Sequence, residues 1–364
     1  MKKLTIVWVV VFAGFIAAGG AVFARGKTDK GGAGAELALI TDSGTINDKS
    51  FNQGAWESVV RYAAEHKISH KYYQPAEISD DAYLAAIDLA VRGGAKVVVT
   101  PGFLFETAIF IAQDRYADVR FVLIDGSPHS ADYAQVKVGA NTVGITYAED
   151  QAGFLAGYAA VKDGYRNLGY VGGMAVPSVI RYGYGYVQGA EYAAKELGLA
   201  SGSVTVNYHY TGGFLPSPEV QAKAASWYNT GVEVIFAAAG GAGNSVFAAA
   251  QQANKKAIGV DVDQSGESPA IITSALKGVT VSVYDSIAAF YKGSFPGGQD
   301  LVFDAKRNGV GLPLETSKFT RFTANDYNQI FELLANETVP RQFEIPSANG
   351  SPSALPLTIV KVIE

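Results

Sequence analysis

The chain has 364 residues, more than one core of ordinary size usually holds, so two domains are the expected organisation. With 48% hydrophobic and 17% charged residues it is neither disordered nor of low complexity, and a formal charge of -5 advertises no nucleic-acid surface. The absence of cysteine excludes disulfides, thiolate metal sites, thiol catalysis and cysteine-linked lipids, and four histidines leave little for a histidine metal centre.

The first predicted element is an address. Lys2 and Lys3 precede an apolar run from Leu4 to Ala24, closing on Ala21-Val22-Phe23-Ala24. This is the pattern of a secretory signal cut after Ala24. A run of about 20 residues is also long enough for an uncleaved membrane anchor. Residues 25–35, RGKTDKGGAGA, are glycine-rich and charged and read as a flexible tether. The expectation is an extracytoplasmic protein, soluble after cleavage near Ala24.

Short apolar runs then alternate with helical patterns. Residues 37–40 form a continuous apolar run, as in a strand buried on both faces. A helix is expected from Asn52 to His66, a strand at 71–73, and a helix from Asp80 to Arg92. That second helix aligns Ala82, Ala85, Ala86 and Leu89 on one stripe and closes at Gly93-Gly94. A strand at 97–99, a helix over 104–116 and a strand at 121–124 follow. The order then repeats with strands at 168–171, 204–210, 234–236 and 257–260, separated by helices over 185–197, 219–229 and 244–254. Alternating strand and helix predicts parallel sheets with helices on both faces, here as two similar α/β lobes.

Ligands of open parallel sheets bind beyond the carboxyl ends of the strands. In the first half those ends carry Asp42-Ser43-Gly44, Thr100-Pro101-Gly102-Phe103 and Asp125-Gly126. In the second half they carry Gly172-Gly173, Thr211-Gly212-Gly213-Phe214, Ala239-Gly240-Gly241 and Asp261-Val262-Asp263. Glycine admits close backbone approach, a ring offers a flat apolar face, and a carboxylate accepts from hydroxyl or ring N–H groups. Singly, each has a plainer reading as a turn, a core residue or a helix cap. Jointly they suit a flat, polar-edged ligand such as a nucleoside, or a sugar. Glu149-Asp150 reads as a helix start. The run Arg181 to Tyr186 reads as a ring-lined wall or, in preference, a glycine-rich loop entering a helix. No phosphate-loop or calcium-loop spacing is present.

The segments ITDSGTINDKSFNQGAW, VVVTPGF, FVLIDG, EDQAGFLAGYAA, GGMAVPSVIRYGYGYVQG, TGGF, VIFAAAGGAGNSVFAAA, IGVDVDQ and ITSALKG resemble the basic membrane protein family, also called the purine nucleoside receptor A-like family. They run in the family's order from about Leu37 to Val283. Two departures stand out: the chain lacks the cysteine that ends the signal of many relatives, and Leu215-Pro216-Ser217-Pro218 replaces the usual acidic residues after Phe214.

The resemblance implies a two-lobed type I periplasmic-binding-protein fold with three crossovers and the ligand in the cleft. It implies an N-terminal lobe of residues 36–143 and 262–290 and a C-terminal lobe of 144–261 and 291–364. It implies a purine between Phe51 and Phe214, Asp125 facing the base, Asp261 and Lys277 on the ribose hydroxyls, and lesser contacts from Asp42, Asn52, Gly102 and Gly240. The function implied is the non-catalytic substrate-binding component of an ABC importer; the absence of cysteine, the few histidines and the lack of a calcium loop add the expectation of a monomer that needs no metal or cofactor. Its ligand would be a nucleoside such as adenosine, guanosine or inosine, delivered to a permease. The rival readings are a sugar-binding or signalling receptor of the same fold and a secreted nucleoside hydrolase.

Overall fold

The computed structural model describes residues 34–341 and 350–364. The expected signal, and the tether up to residue 33, lie outside the described residues. Gly34 and Ala35 belong to the folded body: Ala35 is buried, and the Gly34 carbonyl accepts from the Ser69 hydroxyl at 3.0 Å.

The first stretch runs β1 (Leu37–Ile40), α1 (Phe51–His66), β2 (His70–Tyr73), α2 (Asp80–Arg92), β3 (Val97–Pro101), α3 (Glu106–Arg115), β4 (Arg120–Ile124) and β5 (Thr142–Tyr147). The second runs α4 (Glu149–Lys162), β6 (Asn167–Gly172), α5 (Pro177–Glu196), β7 (Val204–Tyr210), α6 (Pro218–Asn229), β8 (Val234–Ala238), α7 (Gly243–Gln252), β9 (Lys256–Asp261) and β10 (Ile271–Lys277). Then come α8 (Val279–Tyr291), β11 (Gln299–Phe303), β12 (Val310–Gly311), α9 (Ala324–Ala335) and β13 (Val360–Ile363).

The strands form two sheets, ordered β11-β5-β4-β3-β1-β2 and β12-β10-β9-β8-β6-β7-β13. Every pairing is parallel except that of β12 with β10. The continuous apolar runs are explained by burial on both faces. Leu37, Leu39, Val97 and Val99 pack towards α1 and α8, whereas Ala38, Ile40, Val98 and Leu123 join Tyr83, Ile87 and Ile109 of α2 and α3. Alternate strand residues point to opposite faces, so both sets must be apolar.

The helix boundaries have local causes. Ser79 caps α2 by accepting from the Ala82 amide, and Ser217 caps α6 directly before Pro218. Thr323 and Asp326 form a reciprocal capping box at the start of α9. In α2 the buried stripe is Tyr83, Ile87 and Ala90, one position off the expected one, and Leu89 is 58% exposed. Tyrosine and isoleucine remove more apolar surface from water than the alanines do, so they decide which face turns inward.

The lobe boundaries differ from the expected ones. β5 pairs with β4, so the chain leaves the first lobe after Tyr147 and not at 143. β10 pairs with β9, so it returns after Lys277 and not after Asp261. β11 pairs with β5, so the third crossing follows Phe303 and not residue 290. In each case one further strand stays in its sheet because its backbone groups find partners there.

Candidate functional site

The carboxyl ends of both sheets converge on a cavity of about 290 Å³, near the lower bound for small-ligand pockets. All nine residues expected at the site line it: Asp42, Phe51, Asn52, Gly102, Asp125, Phe214, Gly240, Asp261 and Lys277. Ser43, Asp48 and Tyr182 line it too. A second cavity of about 610 Å³ lies beyond Asp261 and Lys277, which line both. Among the described residues, buried side-chain oxygens without a hydrogen-bond partner occur in the lining of the first cavity and not in that of the second.

Strand ends supply the polar groups. Asp42 follows β1; its Oδ1 accepts from the Gly44 amide at 2.9 Å and from Asn52 Nδ2 at 3.0 Å. Gly102 follows β3 with φ of 123°, and a Cβ there would collide with the Asp42 carboxylate. Glycine is therefore required both by conformation and by approach. Asp125 follows β4 and Asp261 ends β9, with φ of 63° and 66°. Left-handed backbone at a non-glycine residue costs on the order of 1–2 kcal/mol and concentrates at functional sites.

The ring platforms come from different lobes. Phe51 opens α1 and packs on the core of the first lobe, while Phe214 packs on the core of the second. Phe214 lies against Gly240, and a Cβ at Gly173 would strike its ring. Asp48 has the plainer role weighed for such carboxylates: it accepts from the backbone amides of Ser50, Asn52 and Gln53 and so caps α1.

At the electrostatic centre Lys277 meets Asp125 and Glu149, and Asp261 has other partners. Lys277 Nζ donates to Asp125 Oδ2 at 2.5 Å and lies 3.0 Å from Glu149 Oε1. Its ammonium faces the rings of Tyr147, Phe51 and Tyr182, at 5.0, 5.1 and 5.9 Å from their centroids. Asp261 instead accepts from Ser50 Oγ at 2.6 Å, across the cleft, and from the Tyr182 hydroxyl at 3.4 Å. Burial opposes the charge of Lys277, but Asp125, Glu149 and Asp261 outweigh it and raise its pKa above the ordinary lysine value. Burial pushes the Asp125 carboxyl up, with Lys277 pulling the other way. Burial also raises Asp261 and lifts Asp42 to about 6.

Among the described residues three buried side-chain oxygens of the cavity lining have no hydrogen-bond partner: Asp125 Oδ1, Asn52 Oδ1 and Ser43 Oγ. A buried oxygen without a partner is costly, so this wall favours a ligand that brings donors.

A family model for ABC transporter substrate-binding proteins of the PnrA-like kind matches residues 35–348. The chain belongs to this family. It is 29% identical over 317 residues to a protein of Lactococcus lactis subsp. cremoris named ABC transporter nucleoside-binding protein BmpA, covering 81% of this chain and 86% of that one. It is 26% identical to Basic membrane protein B of Borreliella burgdorferi, covering 89% and 91%. A solved solute-binding protein of an ABC transporter system from Aeropyrum pernix K1 superposes with a TM-score of 0.73 at 22% identity, over 85% of this chain and 93% of that one. The fold is thus the two-lobed type I periplasmic-binding-protein fold, and this PnrA-like chain is the substrate-binding protein of an ABC transporter. Among the described residues no helix is long and apolar enough to cross a membrane.

The reading from sequence missed Glu149, Tyr182, Ser50 and Tyr147. Glu149 does start a helix, α4, but it is also buried against Lys277. The run Arg181 to Tyr186 lies inside α5, not in a loop, and Tyr182 reaches the cavity wall. The overlooked signal was glycine periodicity. Gly153 and Gly157 of α4 face Gly185 and Gly189 of α5, and a Cβ at any of the four would meet the other helix's backbone.

Proposed function

We propose that this protein captures nucleosides, purine nucleosides above all, in the interlobe cavity outside the cytoplasm and delivers them to an ABC importer without transforming them. The reading is carried by the unsatisfied acceptors Asp125 Oδ1 and Asn52 Oδ1, set in one wall with the Asp42 and Asp261 carboxylates and with a ring from each lobe. Such a wall calls for a flat ligand rich in hydroxyl and N–H donors. In this reading Phe51 and Phe214 hold the base between them, and Asp125 accepts from the base edge. Asp261 and Lys277 hold the ribose, a carboxylate accepting both protons of the cis-diol. Asp42, Asn52, Gly102 and Gly240 complete the pocket. Nucleotides fit poorly, because Asp42, Asp48, Asp125 and Asp261 line the cavity and its cation Lys277 is already engaged by two carboxylates. The nucleoside-binding relative from Lactococcus lactis supports the ligand class.

Calorimetry against purine and pyrimidine ribonucleosides, 2′-deoxynucleosides, nucleotides and free sugars tests this. Purine ribonucleosides should bind tightest and nucleotides hardly at all. The Asp261→Ala variant should lose on the order of 2–3 kcal/mol for ribonucleosides, because it leaves buried hydroxyls without an acceptor. It should also lose most of the margin over the 2′-deoxy form. A wild type that binds a free sugar and ignores every nucleoside would sink the reading.

A further inference from the structure

Glu149 is the first residue of α4 and is 1% exposed, yet it does not line the cavity. Its Oε1 stands 3.0 Å from Lys277 Nζ, and its Oε2 stands 3.5 Å from Arg181 Nη1 and accepts no hydrogen bond among the described residues. The chain first leaves the first lobe between Tyr147 and Glu149, and it returns between Lys277 and Val279. The Glu149–Lys277 contact therefore joins two of the connections between the lobes. Asp125, the other partner of Lys277, stands at the end of β4 in the first sheet.

We propose that Glu149 is a positioning residue for ligand binding, which acts from behind the cavity to aim the Lys277 ammonium at the sugar end of the ligand. A lysine ammonium is a compact charge on a flexible stem with three rotatable donors. The rings of Phe51, Tyr147 and Tyr182 attract it without selecting a direction for its N–H groups. Asp125 alone would draw it towards the first lobe and the base. Glu149 supplies the opposing pull, so the ammonium is held between two carboxylates with N–H capacity left for the cavity. The negative charge of Glu149 is itself supported by the α4 N-terminus and by Arg181. This inference rests on the nucleoside reading above, and its effect is confined to the ribose.

The test compares a purine ribonucleoside with its 2′-deoxy counterpart by calorimetry on wild type, Glu149→Gln, Lys277→Met and the double variant. Glu149→Gln should weaken the ribonucleoside about tenfold, as expected for losing one charge-assisted contact, and change the 2′-deoxynucleoside far less. In the Lys277→Met background it should have no further effect on the discrimination. Glu149→Asp keeps the charge but shortens the reach and should act in the same direction; it serves if Glu149→Gln does not fold. A variant that weakens both ligands equally, or keeps the full wild-type margin, overturns the inference while leaving the nucleoside reading intact. A wild type that binds no nucleoside overturns both.

Discussion

Asp42 shows how one side chain answers to two demands. It anchors the turn after β1 by accepting from Gly44 and Asn52, and it lines the cavity, where burial lifts its pKa from 3.8 to about 6. A carboxyl held above its unfolded value contributes stability that is full below about pH 3.8 and is lost as pH rises through about 6. The loss is on the order of 1–3 kcal/mol, the smaller figure reflecting the solvent that reaches the cavity. Asp42→Asn should therefore match or fall below wild type near pH 4 and gain on it between pH 5 and 7. Urea unfolding of both ligand-free proteins across that range checks this, and parallel curves would show that Asp42 does not titrate as described. Asp42, Asp125 and Asp261 could be placed at the cavity because ligands of parallel sheets bind beyond the strand ends, although each alone reads as well as a turn or a helix cap. Glu149 could not, because a helix start explains a glutamate fully until its neighbour across the chain is known.

At the scale of elements, the pair α4 and α5 forms the backbone-to-backbone seam of the second lobe. Gly153 and Gly157 on one helix and Gly185 and Gly189 on the other, each four residues apart, remove the Cβ atoms that would hold the helices apart. Close approach seats Glu149 and Tyr182, which stand on these two helices, beside Lys277. Gly185→Ala separates two effects of opposite sign. Helix propensity alone would stabilise by about 1 kcal/mol. The new methyl group would land on the Asp150 carbonyl oxygen, however, and overpacking of this kind typically costs about 1–3 kcal/mol. A net loss is expected in denaturant unfolding, and a gain would mean the helices move apart at no cost. Most strands and helices up to β9 were readable from apolar runs and glycine breaks. The three crossings were not, because no strand was expected at β5, β10 or β11, and each of these stays in the sheet it pairs with before the chain crosses.

At the scale of the whole molecule, some of the contacts that join the lobes never touch the cavity. Gln264, in the loop between β9 and β10, donates from Nε2 to the Lys49 carbonyl at 2.7 Å, and Lys49 Nζ stands 3.6 Å from Glu267. Gln264 is buried, and its Oε1 accepts from the Val260 amide at 2.8 Å. It is thus anchored in the second lobe and holds the first by its main chain. A contact made only when the lobes meet favours the closed form whatever the ligand is; Asp125, Asp261 and Lys277 also join the lobes, but they line the cavity as well, so changing them alters recognition of the ligand too. Gln264→Glu keeps the acceptor for Val260 and turns an oxygen towards the Lys49 carbonyl. Losing this hydrogen bond should weaken every ligand by about the same factor, on the order of tenfold. The preference for ribonucleoside over 2′-deoxynucleoside should stay at its wild-type value. Calorimetry with both ligands measures the two quantities, and small-angle scattering should find a larger radius of gyration for the ligand-free variant. A changed preference would place Gln264 in the recognition of the ligand instead, and unchanged affinity for both would mean that this bond does not govern closure.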